Sequence, residues 1–301
     1  MFRISLAGVV MLVLLRVTIG WHFLYQGIGK LESANFSSSG FLSQAKGPLA
    51  DRFHELIPDF WGRERLDEKN AIARLDADRA ALAQKFTLSE SQAALADRVV
   101  AARKEQISDF FAENKDDIET YFHELERFEA AKTAPNSELD FQRKRNWDKQ
   151  QELQAKLKGW VKQLDAWQQE ARRELSAVVN KTPDVVPSLL DRSGFSMDQL
   201  VTYSNIAIGL CLIAGLFSRL AAFGGALFLL SIVLAQPELP GLYPPAPPAA
   251  GRSLIVNKEF VEMMALFALA ALPVGRWGGL DFFIHHLVTR PLFGKREQGL
   301  S

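Results

Sequence analysis

The sequence is short of several things, and each shortage excludes a class of protein. It holds one cysteine, Cys211, in 301 residues. That excludes a disulfide scaffold, a CxxC redox motif and a metal site built on cysteines. It has no net charge, since 35 Lys and Arg balance 35 Asp and Glu. That excludes a basic nucleic-acid binder and an acidic tail protein. It also lacks a leader cleavage site after its first apolar run. Met1-Phe2-Arg3 opens like a secretory signal, but Arg16 and then Gly20-Trp21-His22-Phe23 stand where a small-x-small site belongs. The run therefore reads as an uncleaved first span.

What is present is unevenly spread. A mean hydropathy of −0.02 suits one large soluble domain or two ordinary ones. Yet residues 61–180 hold 21 Lys and Arg and 23 Asp and Glu, 44 of 120 positions. The remaining 181 residues share 26 charges. The chain divides into an apolar membrane part and a polar insert.

Four stretches are nearly free of charge: 4–25 with only Arg16, 201–218 and 220–236 with none, and 260–274 with only Glu262. About 20 mainly apolar residues cross the hydrocarbon of a bilayer. The first two stretches are long enough and the third is near the lower limit. The fourth needs 257–259 and 275–277 as interfacial ends. A buried helix of a soluble core is the alternative for each short stretch, but four together favour spans. Arg3, Arg219, Arg276, Arg290, Lys295 and Arg296 fall on one side of a four-span topology. The positive-inside rule puts that side, with both termini, in the cytoplasm, and residues 29–198 outside.

In the insert, Leu153, Leu157, Trp160, Leu164, Trp167 and Ala171 step by three or four, as do Phe111, Asn114, Ile118, Tyr121, Leu125 and Phe128. Ile72, Leu75, Leu82 and Phe86 continue the pattern. The spacing predicts helices packed side by side in a coiled-coil-like hairpin or stalk. Thr87-x-x-Glu90 predicts the start of a second helix of roughly 40 residues. Pro135-Asn136-Ser137 turns the chain into a third, and Thr182-Pro183 starts a short one. Six prolines in 237–248 predict an extended loop. The stalk reads as a device for docking or spacing a partner, or as an insert that packs only on itself. Its aromatic seam residues read as core, and His123 stands alone. The expected fold is all-α, organised as 1–60, 61–182 and 183–301.

Charges at bilayer depth cost about 2.5–3.5 kcal/mol and need partners or a purpose. His22, Gln26 and Lys30 recur at i, i+4 and i+8 on one face of the first span. Span two brings Asn205 and span four brings Glu262. Helical rise places His22, Asn205 and Glu262 about 9, 10 and 6 Å below the outer boundary, and Arg16 about 18 Å below it, with a long side chain able to reach outward. One reading of Arg16, His22, Gln26, Lys30, Asn205 and Glu262 is polar glue between helices. The other is a pocket in which a cation, an imidazole and a carboxylate meet a quinone head group: the cation stabilises a reduced oxygen and His22 or Glu262 passes a proton. No metal site is expected. Cys211 reads as an inert buried thiol, and the adjacent His285 and His286 point different ways on a helix.

Leu15-Arg16-x-x-x-Gly20-Trp21-His22-Phe23 with Gly27-x-x-Lys30 resembles the first span of the DoxX/DoxD family. Gly209 with Gly215-Leu216-Phe217-Ser218-Arg219-Leu220 resembles its second span and turn, and Asn257-Lys258-x-x-x-Glu262 with Gly275-Arg276-x-x-Leu280-Asp281 its fourth span and exit. The resemblance covers roughly 10–60 and 183–290. The long insert departs from the family's short first loop, and many members carry a carboxylate at the position of Asn205. The resemblance implies a four-helix bundle in a bacterial inner membrane and quinone-coupled redox work. The DoxD-type subunit is associated with thiosulfate:quinone oxidoreductase, and DoxX-type proteins with membrane oxidoreductase complexes. The chain would then be a subunit of such a system, with a protein partner or a second copy beside it. The alternatives are a non-enzymatic anchor whose stalk organises envelope proteins and, with no internal repeat to support it, a small transporter.

Overall fold

The computed structural model describes residues 4–33, 36–137, 139–179, 196–245 and 255–289; Thr182-Pro183 and the end of the proline-rich loop lie outside them. All helices and no strand occur among the described residues. The chain divides into two compact units, Met1–Ile57 with Phe195–Ser301, and Pro58–Gly194.

The first unit is built on α1 (Leu6–Glu32), whose first turn is closed by Ser5 accepting from Gly8 N. Two short helices follow, α2 (Ser39–Leu42) and α3 (Ala50–His54). The other long helices of this unit come from the second half of the chain, and each has a physical start and stop. Helix α8 (Met197–Ala214) opens with a reciprocal capping box between Ser196 and Gln199. It ends where Gly215 turns left-handed at φ 64° and Leu216 N returns to Cys211 O. Helix α9 (Ser218–Ala235) starts immediately after. Helix α10 (Lys258–Ala271) is capped by Asn257 and stops before Pro273. A 3-10 turn, Val274–Arg276, a short helix, α11 (Asp281–Ile284), and a π turn, His285–Thr289, follow among the described residues.

Helix α1 lies along α8 at very close range. A Cβ on Gly209 would stand 2.5 Å from Leu24 N and 2.8 Å from Gly20 O, so only glycine permits this backbone approach. Helix α9 packs on α10 through Ala222, Ala226 and Leu229 against Met263, Leu266 and Leu269. The outward faces are apolar: Leu6, Met11, Leu14, Leu210 and Leu220 are all exposed. Three helices, α1, α8 and α9, are long and apolar enough to cross a membrane. Only 22%, 22% and 39% of their apolar windows are buried within the protein, so these helices turn most of their hydrophobic surface outward. The fourth expected span, α10, has 14 residues, about 21 Å of helix against about 30 Å of hydrocarbon.

The second unit holds α4 (Glu68–Lys85), α5 (Glu90–Glu113), α6 (Lys115–Lys132) and α7 (Asp140–Val178). Leu75, Leu82, Ile107, Tyr121, Leu125, Leu153, Leu157 and Leu175 pack into one core. The apolar spacing in 72–86 and 111–171 therefore marks the buried faces. The expected 40-residue second helix is interrupted. Asn114 sits at φ −100° and ψ 11°, its side chain donates to Phe110 O, and the chain restarts as α6. The cap of α5 is Ser89 with Gln92, two residues after the expected Thr87-x-x-Glu90. The turn at 135–137 is present.

Candidate functional site

A cavity of about 570 Å³ opens among α1, α8, α9, α10 and the segment that follows α1. This is an ordinary volume for a small-molecule site. Its walls are mainly apolar, with Phe23, Leu200, Val201, Phe228, Leu229 and Ile232 from the long helices. Five of the six sequence-predicted site residues line it: His22, Gln26, Lys30, Asn205 and Glu262. Helical repeat puts His22, Gln26 and Lys30 on the same face of α1. The bond between His22 Nδ1 and Glu262 Oε1, at 2.9 Å, joins α1 to α10 across the cavity edge. Lys30 donates to Gln26 O at 3.4 Å, and its ammonium lies 5.7 Å from the centroid of the Phe36 ring. No carboxylate pairs with Lys30 among the described residues.

Asn205 is the most telling member. It is 3% exposed, and its Oδ1 has no hydrogen-bond partner among the described residues. An unmet buried acceptor costs about 1–3 kcal/mol unless something donates to it. Asn205 itself lines the cavity, so a turn of its amide would present this oxygen to a ligand hydroxyl or amine.

Arg16 is not part of this site. It is 1% exposed and donates through Nη1 to Val274 O at 3.1 Å and through Nη2 to Gly278 O at 3.4 Å. The reason is geometric. Side chains on a helix lean toward its N-terminus, so Arg16 extends away from His22 rather than toward it. There it meets the carbonyls of the chain that leaves α10. Asp281 acts on it electrostatically and uses its own oxygens to cap α9, accepting from Phe217 N, Ser218 N and Ser218 Oγ at 2.7, 2.9 and 2.6 Å. This cluster ties α1, α9 and the 3-10 turn together.

The segment 36–56 supplies site residues that the sequence reading missed. Phe36, Phe41, Leu42, Phe53 and Leu56 close one side of the cavity. Hydrogen bonds to α8, to the end of α9 and to the chain after it hold the segment in place, among them Gln236 Nε2 donating to Phe41 O at 3.2 Å and Lys46 Nζ to Pro244 O at 2.8 Å. Ser38 donates through both N and Oγ to Asp198 Oδ1 at 2.6 Å, and Lys46 N donates to Ala235 O at 2.8 Å. Three phenylalanines in an otherwise small and polar stretch were the available signal. Cys211 is a free, partly buried thiol, and no group of metal-ligating side chains occurs among the described residues.

The arrangement can bind an amphipathic aromatic molecule. The apolar walls take its ring and tail, Lys30 offers positive charge, and Asn205 offers an acceptor. The bond to His22 Nδ1 orients the imidazole and leaves Nε2 for a ligand. Comparison with protein-family models, with curated proteins and with solved structures finds no match.

Proposed function

We propose that this chain is an integral membrane protein of the bacterial inner membrane, a DoxX-like subunit that binds a quinone head group in the cavity lined by His22, Gln26, Lys30, Asn205 and Glu262. In this reading α10, with the segment up to Trp277, is a short fourth span. Both termini are cytoplasmic, and the unit Pro58–Gly194 stands outside as a coiled-coil-like stalk that contacts a partner or a second copy.

The observation that carries the reading is an apolar cavity that holds a hydrogen-bonded imidazole and carboxylate, with Asn205, whose buried Oδ1 is unmet among the described residues, in its wall. A bound quinone supplies reversible two-electron, two-proton chemistry at its ring oxygens. Asn205 would accept from a ring hydroxyl, and Lys30 would stabilise negative charge on a ring oxygen. His22 holds a proton for transfer and exchanges it with Glu262, whose bond keeps the ring in register.

The test is extraction. The full chain is purified in mild detergent and its quinone content measured, then the measurement is repeated with Asn205→Leu and His22→Phe. Near-stoichiometric quinone in the wild type and a tenfold or greater loss in both variants are expected. A wild type without quinone, or variants with equal occupancy, overturns the assignment.

A further inference from the structure

A second, smaller cavity of about 240 Å³ lies beside the Asp281 cluster, lined by Phe217, Arg219, Leu220, Arg276, Ile284 and His285 among others. Its two arginines are poorly satisfied by protein. Arg219 uses only Nε, which donates to Ala270 O at 2.9 Å. The Arg276 side chain has no hydrogen bond or ion pair among the described residues and is exposed. The one carboxylate in the wall, Asp281, does not pair with either of them, since its oxygens are taken by Phe217 N, Ser218 N and Ser218 Oγ. Two guanidinium groups thus converge on one groove without a counter-charge bonded to them.

The groove borders an unusually apolar surface. Phe217, Leu220, Leu280 and Phe283 are 58%, 69%, 46% and 56% exposed. Arginines suit phosphate because their planar donors match its oxygens. Exposed apolar side chains beside them suit acyl chains. Together they select a molecule that carries both, rather than a free phosphate ion. The positive-inside rule explains the side of the membrane on which Arg219 and Arg276 fall, but not their convergence on one cavity.

We infer that the groove between Arg219 and Arg276 is a binding site for the phosphate of an anionic phospholipid, whose acyl chains lie on Phe217, Leu220 and Phe283. Basic pockets at the edges of membrane helices hold such head groups elsewhere. The site is separate from the larger cavity and does not depend on quinone binding.

The test uses the full chain in mild detergent with an equimolar mixture of dioleoylphosphatidylglycerol and dioleoylphosphatidylcholine, and native mass spectrometry to count retained lipid. The wild type should retain phosphatidylglycerol about tenfold over phosphatidylcholine. Arg276→Gln should lower that ratio at least threefold, and the Arg219→Gln/Arg276→Gln double variant should bring it to one. Arg276 makes no protein bond among the described residues, so Arg276→Gln should fold, as unchanged helical circular dichroism would confirm. Excess inorganic phosphate should fail to displace the lipid. Equal retention of the two lipids by the wild type, a ratio unchanged in a folded Arg276→Gln, or displacement by phosphate alone overturns the inference.

Discussion

Asp281 organises the start of α9 and the chain around it. It caps α9 from a distant part of the chain and acts electrostatically on the buried Arg16. Replacing a capping acid by alanine costs about 0.5–2 kcal/mol, and it would also remove the favourable charge of Asp281 acting on buried Arg16. Asp281→Ala should therefore destabilise by about 2 kcal/mol or more, and Asp281→Asn, which keeps one acceptor, by less. Gly275→Ala should act on the same cluster, because a Cβ there would overlap the Asp281 carboxylate and Ser218 Oγ. Thermal unfolding in detergent, followed by tryptophan fluorescence, measures both. Variants that melt with the wild type would show that the cap is dispensable. The sequence marked Arg16 as a residue in need of partners, and it has them. It did not reveal which end of the bundle they occupy, because helical rise places the backbone, not the side chain. The two carbonyls it meets lie 258 and 262 residues away.

At the scale of elements, apolar spacing located the faces and misjudged the ends. Ile118, Tyr121, Leu125 and Phe128 are buried on α6, as their spacing requires. Asn114 fits the same spacing but interrupts the helix: its backbone leaves the helical region at φ −100° and ψ 11°, while its side-chain amide adds a second bond to Phe110 O beside the helical one. A count of threes and fours cannot see such a local change in backbone angles. The same holds for α10, where Pro273 follows the last helical turn too soon for an ordinary span. The buried face of α6 also carries a pH-dependent contribution. Tyr121 is fully buried and donates to Trp61 O at 3.0 Å. Burial, and after it the charge of Asp59, raises its phenol well above the usual value. A group that holds its proton more tightly when folded stabilises the fold below its unfolded pKa, about 10, and loses that contribution as the pH climbs past it. The insert should weaken from about pH 10 upward. Tyr121→Phe should cost about 1 kcal/mol at neutral pH for the lost hydrogen bond and flatten the alkaline decline. Urea titrations of both proteins at pH 8 and about pH 11 compare the slopes; an identical alkaline loss in the variant would assign it to other groups.

At the scale of the whole chain, the two compact units divide the chemistry between them. Every residue that lines the larger cavity belongs to the unit Met1–Ile57 with Phe195–Ser301, and 44 of the chain's 70 charges fall within 61–180. The quinone reading and the scaffold reading therefore make separable claims about one deletion. If the cavity binds quinone on its own, replacing 58–194 by a flexible Gly/Ser linker should leave quinone per folded protein within about twofold of the wild type. The long linker closes a loop at a cost that grows only slowly with its length. If the unit Pro58–Gly194 docks a partner, the same deletion should abolish recovery of that partner from native membranes while quinone content holds. Quinone lost from a deletion variant whose remaining helices keep their helical signal would mean that the site depends on the unit Pro58–Gly194. The cavity would then no longer stand as a property of the membrane unit alone.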